Sequence, residues 1–227
     1  MTLIEKINQI NTKIQLAQEK SRYNHGVEIV GVTKTKPFSY IESSYLVGIR
    51  SIGENRVQEA QEKFGSFKQM PDLKKRFIGH LQSNKIRKCL GLFDTIDSVD
   101  SHKKLIKILK NAEKINKKIS MLIEVNTSEE PQKSGFLLSQ KEQIIRCFLD
   151  GGKAVNGLMT IGPNTKDKNT IRQSFKKLRR LKEDIVSKHE NIKIKHLSMG
   201  MSGDYDIAVE EGSTMVRVGS FLYGRRN

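Results

Sequence analysis

The chain contains no tryptophan, only two cysteines and four prolines, and just 6% aromatic residues. Each scarcity removes a class of explanation. With so little aromatic surface, the interior of a 227-residue chain must be built from Ile, Leu and Val, and a chain of this length can bury them in quantity. Cys89 and Cys147 lie in separate, partly apolar stretches with no Cys-x-x-Cys spacing, so they are expected to be reduced thiols without redox or metal chemistry. His25, His102 and His189 are scattered and have no carboxylates at ligand spacing, so no metal site is expected. No stretch approaches the roughly 20 apolar residues of a membrane span. Met1 to Lys20 alternates apolar and charged residues instead of joining a basic segment to an apolar run. No membrane partner and a cytoplasmic location are expected by default.

Acidic residues are also in short supply, with 25 Asp and Glu against 41 Lys and Arg and a formal charge of +16. Such a surplus raises polyanion binding as a function class. The basic runs Asn116–Lys118 and Lys176–Lys182 sit among leucines and acidic neighbours at helical spacing, which reads as solvated helix faces. Without tryptophan, zinc-knuckle spacing or an aromatic strand on which to stack bases, no specific nucleic-acid partner is expected. Weak, salt-sensitive association is all that the charge itself implies.

What the sequence does have is rhythm. Thr2 and Glu5 form a capping-box pattern, and Leu3, Ile4, Ile7, Ile10 and Ile14 mark one face of a helix to about Lys20. Val27–Thr33 then reads as a buried strand, followed by a turn at Pro37 and a helix from about Ser39 to Val47. Strand-like segments recur at 51–53, 76–79, 95–98, 121–125, 157–161, 194–198 and 215–218, which makes eight. The helical stretches between them run over 57–64, 84–92, 102–115, a Ser139/Glu142-capped helix to Leu149, 168–189 and 204–211, with a short last helix over Phe221–Arg225. No linker or composition break interrupts the alternation. It predicts one domain over 1–227, a parallel (β/α)8 TIM-like barrel with an extra N-terminal helix. A doubly wound open sheet shares this alternation, but it would place a dominant glycine-rich loop after the first strand, where Thr33–Pro37 stands here.

In such a barrel, polar residues that follow the strands converge on one rim. Lys34 follows strand one, where desolvation would favour the nucleophilic amine and Schiff-base formation. Position alone makes Lys36 equally eligible, and a lysine simply reaching solvent would look the same. Strand two delivers Glu54 and Asn55, strand three His80, and strand five Asn126. Ser198–Gly203, with Gly200 and Ser202, and Gly219–Ser220 form two small-residue loops after strands seven and eight, a pairing that suits a phosphate. His80 is open between ligand contact and a satisfied strand-end histidine. Met159, Met199, Met201 and Met215 read as core filler.

Gly31–Pro37, Gly53–Glu59, Phe77–Lys85, Lys133–Phe136, Gly157–Met159, Leu197–Ser202 and Gly212–Gly219 occur in order along nearly the whole chain and resemble the pyridoxal phosphate homeostasis proteins. The resemblance implies the fold of the alanine racemase N-terminal barrel, with pyridoxal 5′-phosphate (PLP) at the rim and no separate catalytic domain. It implies an aldimine on Lys34, with Lys36 as the second lysine of that motif. It implies a ring-side contact from Asn55, phosphate contacts from Ser202, Gly219 and Ser220, and Arg217 facing the pyridine nitrogen. Arg76 and Arg56 depart from the aromatic residues expected there, which bears on rim packing. The function expected is intracellular PLP homeostasis and carriage without vigorous catalysis, with apo PLP-dependent enzymes as recipients, in a monomer or weak dimer. The alternative is a small PLP-dependent amino-acid racemase or lyase.

Overall fold

In a computed structural model of the chain, which describes residues 1–23 and 25–224, the alternation closes on itself. Strands β1 (Glu28–Val32), β2 (Ser51–Glu54), β3 (Lys74–Phe77), β4 (Thr95–Val99), β5 (Ser120–Glu124), β6 (Val155–Met159), β7 (His196–Met201) and β8 (Met215–Val218) pair in chain order. The pairing is parallel throughout, and Ile29 of β1 sits opposite Val216 of β8, which rules out the open sheet. Around them lie the helices α1 (Leu3–Lys20), α2 (Ser39–Leu46), α3 (Val57–Lys63), α4 (Ile86–Leu92), α5 (His102–Lys114), α6 (Lys141–Gly151), α7 (Lys168–Lys188), α8 (Tyr205–Glu210) and α9 (Ser220–Tyr223).

The main core lies between strands and outer helices, where Phe93, Ile96, Leu105, Ile144, Phe175 and Leu178 are sealed from solvent. The predicted capping box starts α1, with the Glu5 N–H on Thr2 Oγ1 and the Thr2 N–H on Glu5 Oε2 at 2.8 Å. Its apolar stripe of Ile7, Ile10 and Ile14 packs on Tyr205, Val209 and Leu222, so α1 covers the barrel where α9 is short. Burying Ile10 alone contributes about 1.5–3 kcal/mol.

The details depart from expectation in four places. Ser139 does not cap α6; the Gln140 side chain reaches back to the Leu137 N–H at 2.9 Å, and a short 3-10 turn leads into Lys141. Helix α9 ends before Gly224, whose φ of 82° breaks it, and Arg225, the end of the expected last helix, lies outside the described residues. The run 176–182 is not all solvated, because Arg179 is 3% exposed and pairs with Glu183 at 3.0 Å and Glu211 at 3.2 Å. Arg76 has nothing to do with the rim. Its guanidinium lies inside the barrel at the opposite end, 3.1 Å from Asp97, 3.3 Å from Glu28 and 3.2 Å from Ser51 Oγ. A strand side chain alternates inward, and at Arg76 that direction meets Glu28 and Ser51, the first residues of β1 and β2, at the barrel floor. Above this polar plug, Val30, Leu122, Met159 and Met215 form an apolar layer, and above them the interior turns polar again.

Candidate functional site at the barrel mouth

The C-terminal ends of the strands open onto a cleft of two adjoining lobes of about 340 and 330 Å³. Lys34, Ile78, Met201 and Arg217 line both. Lys36, Ser202, Gly219 and Ser220 belong to the first lobe, and Asn55, His80 and Lys133 to the second. Gly200 lines neither. With φ of +95°, it forms the bulge where β7 gains a residue on β8, between the pairs Ser198–Met215 and Met201–Arg217. That bulge turns Met201, expected in the core, into the cleft at 38% exposure.

Lys34 rides on a turn that is pinned from below. The Lys36 N–H closes the turn on the Thr33 carbonyl at 3.0 Å. Lys63 Nζ, from α3, donates to the same carbonyl at 2.9 Å and pairs with Glu54 at 2.6 Å and Glu59 at 3.2 Å. The Thr33 hydroxyl donates to Glu54, and the Thr35 N–H to Glu59. This network holds Thr35 at φ 64°, a left-handed conformation that costs a β-branched residue about 1–3 kcal/mol. Glu54 therefore supports the Lys34 turn from underneath instead of facing the rim, and burial pushes its carboxyl above the usual range despite Lys63. The Lys36 ammonium leans toward the Tyr40 ring, 5.7 Å from its centroid.

On the far side of the first lobe, the N–H groups of Gly219 and Phe221 converge on Ser202 Oγ at 3.3 and 3.4 Å. Arg217, 5% exposed, donates through Nη1 to the Ser198 carbonyl and hydroxyl at 2.9 and 2.7 Å, and through Nη2 to the Thr160 carbonyl at 2.8 Å. Burial lowers its pKa, while the charges of Asp97, Glu124 and Asp204 oppose that shift. Asn55 sits where Gly79 approaches so closely that a Cβ would lie 2.1 Å from the Asn55 carbonyl oxygen; only glycine allows β2 and β3 to end side by side.

In the second lobe Asn126 donates to the Glu130 carbonyl at 2.9 Å, bracing its own loop. Lys133 ties that loop to the next by reaching Glu130 Oε1 at 2.6 Å and the Gly162 carbonyl at 2.7 Å. His80 is largely exposed, its Nδ1 3.3 Å from Asp100, which also holds Lys104 at 2.6 Å. Sequence reasoning missed Glu124. It ends β5, is 6% exposed and lines the second lobe. Burial and the charge of Asp100 push its carboxyl up to about 7, against the pull of Arg217 and Lys104. The only signal was a charge inside the apolar run Met121–Val125.

The family model for the alanine racemase N-terminal domain matches residues 6–227. A protein of Aquifex aeolicus called pyridoxal phosphate homeostasis protein is 36% identical across all of this chain and 99% of its own length. The chain belongs to the pyridoxal phosphate homeostasis protein family. The family's barrel is seen in PipY of Synechococcus elongatus PCC7942, solved with PLP bound, which superposes at a TM-score of 0.82 with 28% identity over 98% of this chain and all of that one. An alanine racemase of Clostridium difficile 630 shares the fold at a TM-score of 0.71 and 17% identity, and this chain spans 56% of it. Within this family barrel, no described residues form a group of three or more metal-ligating side chains. No described helix is long and apolar enough to cross a membrane.

Proposed function

We propose that this rim binds PLP, with Lys34 as the covalent attachment, and that the chain holds and hands on the cofactor in PLP homeostasis without transforming substrates vigorously. The observation that carries the reading is the placement of Lys34 at the junction of two lobes, with converging backbone N–H groups on one side. The residues fit the group. Gly219 and Phe221 already direct their N–H groups at a hydroxyl oxygen, and a phosphate oxygen is a stronger acceptor in the same direction. Ser202 and Ser220 add hydroxyls at that end, and Asn55 offers its amide from the second lobe.

When bound, PLP supplies reversible carbonyl chemistry toward amines and a ring that can act as an electron sink. Arg217 limits the second of these. A guanidinium has donors only, so toward a ring nitrogen it favours the unprotonated form, the weaker sink. Lys36, His80 and Lys133 border the site, and Gly200 acts through the bulge that shapes it. Recipient apo-enzymes, a cytoplasmic setting and a monomeric or weakly dimeric state complete the proposal. The test is a titration of apo-protein with PLP. A saturable absorbance band near the visible edge is expected in the parent and not in Lys34→Ala; an equal band in Lys34→Ala would move the attachment elsewhere.

A further inference from the structure

A second groove leads away from the cleft on the side of β2 and β3. Two further cavities, of about 470 and 300 Å³, join between α3 and the start of α4, where they share Val57, Gln58 and Lys85. The larger meets the second lobe at Asn55, Gly79 and His80, so the groove opens into the lobe that Lys34 lines. The proposed attachment does not use it. Its charge is one-sided: Arg56, Lys85 and Lys88 line it against one carboxylate, Glu62, among the described residues. Lys63, also on α3, is taken by Glu54 and Glu59, but no salt bridge holds Arg56, Lys85 or Lys88 among the described residues. Arg56 and Lys88 are exposed and Lys85 is half-buried, over a floor to which the buried Val57 and Phe77 contribute. Cations of one sign over apolar walls in a concave surface concentrate a positive potential.

We propose that this groove docks an acidic segment of a partner protein, the class of partner that handing on the cofactor requires. From that reading the proposal takes only the existence of the partner; the place rests on the groove itself. Carboxylates along an extended segment would pair with Arg56, Lys85 and Lys88, which fixes both the sign and the spread of charge the partner must carry. The side-chain amides of Gln58, Gln61 and Gln82 each donate and accept, which suits the peptide groups between those carboxylates. A single-stranded nucleic acid fits less well. Phe77, the ring at the groove's floor, is 1% exposed and gives a base no face to stack on, and His80 is turned to Asp100 at 3.3 Å. A segment seated here brings its protein to the mouth of the Lys34 cleft.

The experiment measures fluorescence anisotropy of a dye-labelled glutamate hexapeptide on PLP-loaded protein at low salt, where exposed charges are least screened. Arg56→Glu with Lys88→Glu should weaken the peptide about tenfold, since two exposed attractions become repulsions. Lys13→Glu with Arg180→Glu changes the net charge equally at exposed positions on α1 and α7, outside the groove, and should leave the affinity within about twofold. Equal loss in both doubles would reduce the effect to net charge and overturn the groove. An oligodeoxynucleotide of the same charge that binds more tightly than the peptide, and loses more in the first double, would also overturn it by assigning the groove to nucleic acid. If the first double does not fold, Arg56→Gln with Lys88→Gln takes its place; about threefold weakening is then expected, and none would overturn the proposal. Lys34→Ala should bind the peptide as the parent does, so a failed attachment leaves this result standing. A peptide that binds the parent and not Lys34→Ala occupies the cofactor cleft instead, which sinks the groove and spares the attachment.

Discussion

Replacing Glu124 by Gln should stabilise the apo-protein, and by an amount that depends on pH. In the folded chain its proton affinity stands near 7 against an ordinary 4.5. Between these values the folded state keeps a proton that the unfolded state has released, so stability falls as pH rises, and above about 7 the penalty is complete. A difference of about 2.5 pH units at 1.36 kcal/mol each makes that penalty on the order of 3 kcal/mol. Glutamine keeps the shape and has no proton to lose. Near pH 4 variant and parent should unfold together, and at pH 8 the variant should be more stable by up to about 3 kcal/mol, or on the order of 6–12 °C in Tm for a chain of this size. Denaturant melts of cofactor-free protein at half-unit pH steps measure this. A stability difference that does not change between pH 4 and 8 would refute the reasoning, since only the buried carboxyl supplies the slope.

Arg76→Met should cost about 3–5 kcal/mol by leaving Asp97 buried and unpaired, and adding Asp97→Asn should recover part of it; denaturant melts that find the single variant as stable as the parent contradict the floor network. Gly200→Ala places a Cβ 2.6 Å from that of Ala208 at a left-handed φ, so a loss of about 1–3 kcal/mol is expected in the same melts. Ser202→Ala should weaken PLP about tenfold, as expected for a charge-assisted hydrogen bond, while pyridoxal, which lacks the phosphate, is little affected; equal weakening of both removes Ser202 from the phosphate end.

Much of this was legible because a βα repeat writes itself twice, in apolar strand runs and in helices with one apolar stripe. The strand from Val27 and the loops after strands seven and eight were recognisable for that reason, and so was the rim position of Lys34. What was not legible depends on register and on the depth of single side chains. Arg76 and Arg217 are each the third residue of a four-residue strand, yet one fills the barrel floor beside Asp97 and the other the mouth beside Ser198, because the strands of a closed barrel are staggered against one another. Glu54 looked like a rim acid until Lys63, nine residues later on α3, drew it beneath the turn. Met201 passed for core because a bulge at Gly200 cannot be read from alternation. Glu124 was hidden by its apolar neighbours, and only the closed barrel gives its carboxyl a cleft to face.

The central claim is that Lys34, not its neighbour Lys36, carries the cofactor. Borohydride reduction of PLP-loaded protein followed by peptide mass mapping addresses it directly, since reduction fixes the attachment where it stands. A pyridoxyl group on Lys34 is the predicted result, and a label confined to Lys36 would contradict the account.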